Sequence, residues 1–135
     1  METVVVGFVP NERGWEALDA AVAEARRRRG RVVAVHSVHG GAMDDAEAMR
    51  EARDALAEAG RRLDSAGVLH DMRLIVQDHS AATDLENVAA EEDAALIVIG
   101  ARHRTRTGKF VLGSDTQEVI LTAQRPVLVV KHPGS

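Results

Sequence analysis

Along the 135 residues, five short aliphatic runs alternate with four stretches of helical period, and that alternation limits the fold more than any other feature. The runs lie at residues 3–8 (TVVVGF), 31–38 (RVVAVHSV), 72–76, 96–99 (LIVI) and 127–131, rich in Val, Ile and Leu. Apolar runs of this length read as strands, and continuous ones as strands buried on both faces. Between them the period changes. Trp15, Leu18, Val22 and Ala25, with Ala21 beside them, recur every three or four residues and predict a helix over 15–29, closed by Gly30 at C′. Met49, Ala52, Leu56, Ala59, Leu63 and Ala66 predict a long helix, capped by Asp44 or Asp45 and ended by Gly67. That narrow stripe is only about three heptads long, so it reads as a face packed on a sheet rather than a coiled-coil seam. Leu85, Val88 and Ala89 mark a helix over about 82–92, with Ser80 as its cap. Thr116, Val119, Ile120 and Ala123 share one face of a last helix over about 115–123. Strands alternating with helices predict an α/β chain with a parallel sheet and crossover helices on both faces. The length suits a single domain over residues 1–135.

The fourth strand leads into the stretch that carries the functional signal. It ends at Gly100, and twelve residues (101–112) follow before Gly113-Ser114 opens the last helix. Ser114 reads as the N-cap, and Asp115 adds a carboxylate to the first turn. Strand, long loop and helix start form an anion-binding geometry, because free N–H groups and the helix dipole face the loop. Loops this long in compact domains are usually functional or disordered. The loop carries Arg102, Arg104, Arg106 and Lys109, while the chain as a whole has net charge −4. Arginine forks suit phosphate oxygens.

Gly100, two residues, position 103, nine residues, then Gly113-Ser114 resembles the signature of the universal stress protein family, with His103 in place of the second glycine. The tail from Arg125 through Pro126 to Lys131 resembles the last strand of that family. The resemblance spans nearly the whole chain. It implies an open five-stranded parallel sheet of order 3-2-1-4-5 with helices on both faces, a Rossmann-like fold of the adenine nucleotide alpha hydrolase type. In that order the strand direction of growth reverses between strands one and four, where ligands of open α/β sheets bind. The resemblance further implies ATP, with Mg²⁺ when bound, and a cytoplasmic regulator. Gly100, Gly113 and Ser114 would line ribose and phosphates. The position after the first strand, commonly an Asp in the family, is Val9 here, followed by Pro10 and Asn11. The strand-two position that touches adenine is Ser37, where Val is common. The candidate nucleotide site is therefore Val9, Pro10, Asn11, Ser37, Gly100, Arg102, His103, Gly113, Ser114 and Asp115. The departures at 9, 37 and 103 bear on nucleotide specificity, not on the fold. His103 either obstructs the triphosphate or offers it an imidazole.

Other chemistries find little support. The chain has no cysteine, hence no thiolate metal site and no Cys nucleophile. His36 and His39, three apart at a strand end, would point to opposite faces, so no metal site is expected. Ser80 and Ser114 lack the surroundings of a nucleophile elbow, and there is no Walker lysine pattern. Catalysis would amount to a slow ATPase at most. Aromatics at 2% and the acidic balance argue against nucleic acid as a partner, and no apolar run is long enough for a membrane. Arg26 to Arg29 read as a solvated helix end rather than a nucleic-acid patch. Val127 to Val130 is apolar throughout, yet as the final strand it lies at the sheet edge, so it predicts a homodimer through antiparallel pairing of two copies. The alternative to a nucleotide-binding regulator is a dimeric interaction module with the same fold and no nucleotide.

Overall fold

The structure is a computed structural model, and it describes residues 1–38, 45–76, 79–101 and 112–131. Its elements run β1 (Thr3–Gly7), α1 (Glu12–Arg28), β2 (Arg31–Val38), α2 (Ala46–Ala66), β3 (His70–Val76), α3 (Ala81–Glu91), β4 (Leu96–Gly100), α4 (Ser114–Thr122) and β5 (Val127–Val130). The five strands form one sheet of order β3-β2-β1-β4-β5, and every pairing is parallel. The order predicted from the family resemblance is the order found.

Strand alternation divides the apolar side chains between two cores. Val4, Val6, Val32, Ala34, Leu96 and Val98 face α1 and α2, meeting Leu18, Ala21, Leu56, Ala59 and Leu63. Val5, Val33, Val35, Ile97 and Ile99 face α3 and α4, meeting Leu85, Val88, Ala89 and Val119. Leu18 and Leu63 are fully buried, and burial of such a side chain stabilises by roughly 1.5–3 kcal/mol. The α2 stripe packs on the sheet, as its shortness predicts.

The helix ends show where local reading and structure part. Asn11 caps α1 by accepting a bond from the Gly14 amide at 3.1 Å, so the helix starts at Glu12, three residues before its first apolar anchor. At its other end the left-handed residue is Arg29 (φ 53°), not Gly30. Gly30 is needed for space instead, because a Cβ there would press on the Glu2 backbone just before β1. Gly67 does hold the left-handed position after α2 (φ 73°). Asp45 caps α2, and Ser80 caps α3 through the Thr83 amide. β3 begins at His70, two residues before the aliphatic run, because pairing with β2 extends from His70 to Val76. Ile120, predicted on the buried face of α4, is 44% exposed, and Leu121 beside it is 82% exposed.

β5 occupies the sheet edge, with all four residues only partly buried. The carbonyls of Pro126 and Val130 accept bonds from the amides of Ile97 in β4 and Ala101 just after it, so by alternation the N–H and C=O groups of Val127 and Val129 face away from the sheet. Among the described residues no helix is long and apolar enough to cross a membrane.

Candidate functional site

Beyond the carboxyl ends of β1 and β4 lies a cavity of about 190 Å³. The chain crosses from one face of the sheet to the other here, since β1 is flanked by β2 on one side and β4 on the other. Crevices at such reversals are left open because the connections diverge. The floor is Gly7 of β1 with Phe8 and Val9 just after it, Val35 and Ser37 from β2, and Ile99 and Gly100 from β4.

Three helix starts surround it. Arg13 and Gly14 come from α1, Ala81 from α3, and Ser114, Asp115 and Thr116 from α4. The caps differ in a way that matters for anions. Asn11 and Ser80 occupy amides of α1 and α3. The N-cap of α4 is Gly113, not Ser114, and no side chain caps that helix. Ser114 is already its first residue, exposed at the cavity rim. An uncapped start leaves amides without intrahelical partners and places the positive end of the dipole at the cavity.

Side-chain bonds hold the two walls in register. The buried Thr116 donates its hydroxyl to the Gly100 carbonyl at 3.1 Å, fastening α4 to the end of β4. Ser80 donates to Glu118 at 3.1 Å, tying the start of α3 to α4. Beneath the β1 end, His36 Nδ1 lies 3.0 Å from the Phe8 carbonyl; since the carbonyl can only accept, Nδ1 carries the proton. Burial lowers the His36 pKa below 6.5, and the Phe8 bond opposes that shift. Phe8 also meets Trp15 edge-on at 4.9 Å, and Arg62 lies over the Trp15 ring at 5.2 Å.

The glycines answer partly to packing. A Cβ on Gly100 would lie 2.7 Å from the Arg13 carbonyl oxygen and closer still to its Cγ. A Cβ on Gly14 would lie 2.7 Å from the Val9 carbonyl carbon. A Cβ on Gly7 would meet Leu85 Cδ1 at 3.1 Å. The first turn of α1 thus sits directly on the ends of β1 and β4. The room that Gly100 leaves on that face is taken by α1, where the sequence suggests a ligand.

Of the candidate residues, the cavity brings together Val9, Ser37, Gly100, Gly113, Ser114 and Asp115. Pro10 is exposed and does not line it, and Asn11 is engaged in capping α1. Arg102 and His103 lie outside the described residues, as do Arg104, Arg106, Lys109 and His39. Arg13 lines the cavity and was not among the candidates, because its position in the first turn of α1 carries no motif. The signal available was its place three residues before Glu16 and one before Gly14, in a loop-to-helix turn at the switch point.

A five-stranded doubly wound sheet of this order, with an uncapped helix start at the strand-order reversal, belongs to the class of open-sheet α/β domains. The universal stress protein family profile matches residues 1–131, and the chain belongs to that family. A universal stress protein from Mycolicibacterium smegmatis is 34% identical over 131 residues, covering 97% of this chain and 98% of that one. Among solved structures, a universal stress protein from Archaeoglobus fulgidus superposes with a TM-score of 0.86 at 35% identity, over 97% of this chain and 99% of that one. Another Archaeoglobus fulgidus structure, of the universal stress protein in complex with dAMP, superposes with a TM-score of 0.80 at 32% identity, over 97% and 98%.

Proposed function

We propose that this chain is a single-domain cytoplasmic regulator that binds an adenine nucleotide in the crevice between β1 and β4 and acts through occupancy rather than rapid turnover. The observation that carries the reading is the uncapped start of α4, Gly113-Ser114, facing a cavity at the strand-order reversal. The dAMP complex of a relative 32% identical over nearly its whole length supports the ligand class. Ser37 and Val9 would face the base, with Gly113, Ser114 and the α4 amides toward phosphate. The ligand that the family resemblance implies is ATP, accompanied by Mg²⁺.

Trp15 is the single tryptophan and touches Phe8 of the cavity floor, so its fluorescence reports on the site. Titration with AMP and ATP, confirmed by calorimetry, should give saturable binding at one site per chain. No heat and no fluorescence change at millimolar nucleotide would falsify the reading. Mass spectrometry of the purified protein should also find a co-purifying adenine nucleotide.

A second reading, favoured by a separate observation, concerns assembly. The outward groups of Val127 and Val129 lie near α4, where Ile120 and Leu121 are exposed. We infer that two copies pair through this edge as a homodimer. The dimer holds with or without nucleotide, and if nucleotide fails to bind it becomes the principal function.

A further inference from the structure

Arg13 differs from the exposed arginines of this chain in being half-buried at the cavity. Elsewhere Arg27, Arg28, Arg31, Arg62, Arg73 and Arg125 each reach a carboxylate. Arg13 is half-buried in the cavity wall, and its side chain makes no hydrogen bond or ion pair among the described residues. A partly desolvated guanidinium with free donors is costly unless something supplies acceptors. Its stem is held in place, since its Cγ rests against the bare Cα of Gly100. A fork anchored at its base loses little freedom when it binds.

Among the described residues, the opposite wall sets the charge balance. α1 and α4 pack on opposite faces of the sheet, so Arg13 and the start of α4 approach the cavity from two sides. α4 offers free amides there, but also the exposed carboxylate of Asp115. One phosphate between Arg13 and the α4 amides meets donors on both sides. Each further phosphate extends negative charge along a wall that carries Asp115.

We propose that Arg13 is the phosphate-reading residue of this pocket and that, together with Asp115, it selects nucleotides bearing one phosphate over a triphosphate. The proposal rests on the adenine-nucleotide reading above and adds to it a specificity determinant outside the glycine motif.

The test is calorimetry in metal-free buffer with adenosine, AMP and ATP, on the wild type, Arg13→Met, Arg13→Lys and Asp115→Asn. Wild type should bind AMP more tightly than ATP. Arg13→Met keeps the stem on Gly100, and should weaken AMP roughly 10- to 100-fold, the range of a lost charge-assisted hydrogen bond, while adenosine changes by about two-fold or less. Arg13→Lys should recover part of the AMP affinity, because it restores the charge without the fork. Asp115→Asn should improve ATP more than AMP. Thermal midpoints of the variants confirm that each is folded, and if Arg13→Met is not, Arg13→Lys carries the comparison by showing an AMP loss without an adenosine loss. ATP binding as tight as AMP in the wild type would overturn the selectivity. An equal loss of adenosine and AMP in the Arg13 variants would overturn the phosphate role. If wild type binds AMP and the Arg13 variants match it, the assignment of Arg13 fails while the nucleotide site stands. If wild type binds none of the three, the nucleotide reading fails and takes this proposal with it.

Discussion

Gly100→Ala separates two reasons for a glycine at the end of β4. If the residue serves only ligand approach, a methyl group leaves the apo protein unharmed. Replacing a strand glycine by alanine at a compatible site should even stabilise it, by about 0.4–1 kcal/mol through the unfolded chain. The structure says otherwise, because the new Cβ would stand 2.7 Å from the Arg13 carbonyl oxygen, where ordinary contact begins at 3.4 Å. The first turn of α1 must then retreat by about 0.7 Å, and that turn is fixed by the Asn11 cap and by Gly14 against Val9. Overpacking of this kind costs roughly 1–3 kcal/mol, so the net destabilisation is about 1–2 kcal/mol. For a chain of 135 residues each kcal/mol lowers the thermal midpoint by about 3–4 °C, giving a fall of about 3–8 °C. Urea melts should show a lower midpoint at unchanged slope. Repeating the substitution in an Arg13→Ala background removes the Cγ contact and leaves the carbonyl. Most of the cost should persist there if the backbone is the obstacle. A Gly100→Ala protein as stable as wild type would show that α1 does not press on Gly100 and that packing does not account for the glycine.

Gly113 is not required by backbone conformation, since its φ of −66° is open to any residue. Gly113→Ser supplies the missing cap and should raise stability by a few tenths of a kcal/mol in urea melts, yet weaken AMP at least several-fold in calorimetry; unchanged affinity would remove Gly113 from the site. Val129→Pro removes a donor that faces away from β4, so the monomer should keep its fold by circular dichroism while sedimentation equilibrium moves from about twice 14.5 kDa toward one chain mass; a wild type already monomeric at micromolar concentration contradicts the pairing. Burial holds the His36 pKa below 6.5, so the folded state prefers the neutral ring; its contribution is complete above 6.5 and lost as pH falls through the lowered folded value. Urea midpoints from about pH 7.5 to 5.5 should therefore drop more in wild type than in His36→Asn, and parallel profiles would contradict the assignment.

What the sequence determined by itself was the sheet and its helices. Aliphatic runs of four to eight residues and the three-and-four period report burial directly, and burial is what both cores are made of. The glycine spacing from Gly100 to Ser114 located the crevice, because a strand end and a helix start are local structures. The tertiary structure decided everything that depended on a neighbour far away in the chain. Gly30 looks like a helix terminator, but Arg29 takes the left-handed position and Gly30 makes room for Glu2. Ser114 has the chemistry of a cap, yet the cap position falls one residue earlier, on Gly113, so Ser114 opens the helix and no side chain caps it. Ile120 keeps the helical period, but the face it shares on α4 is not fully covered, and it stays 44% exposed. Arg13 enters the cavity only because α1 crosses the end of β4, and those residues are 87 positions apart in sequence. Periodicity and spacing record what a residue needs from its own element. Only the packed fold records which other element arrives to meet it.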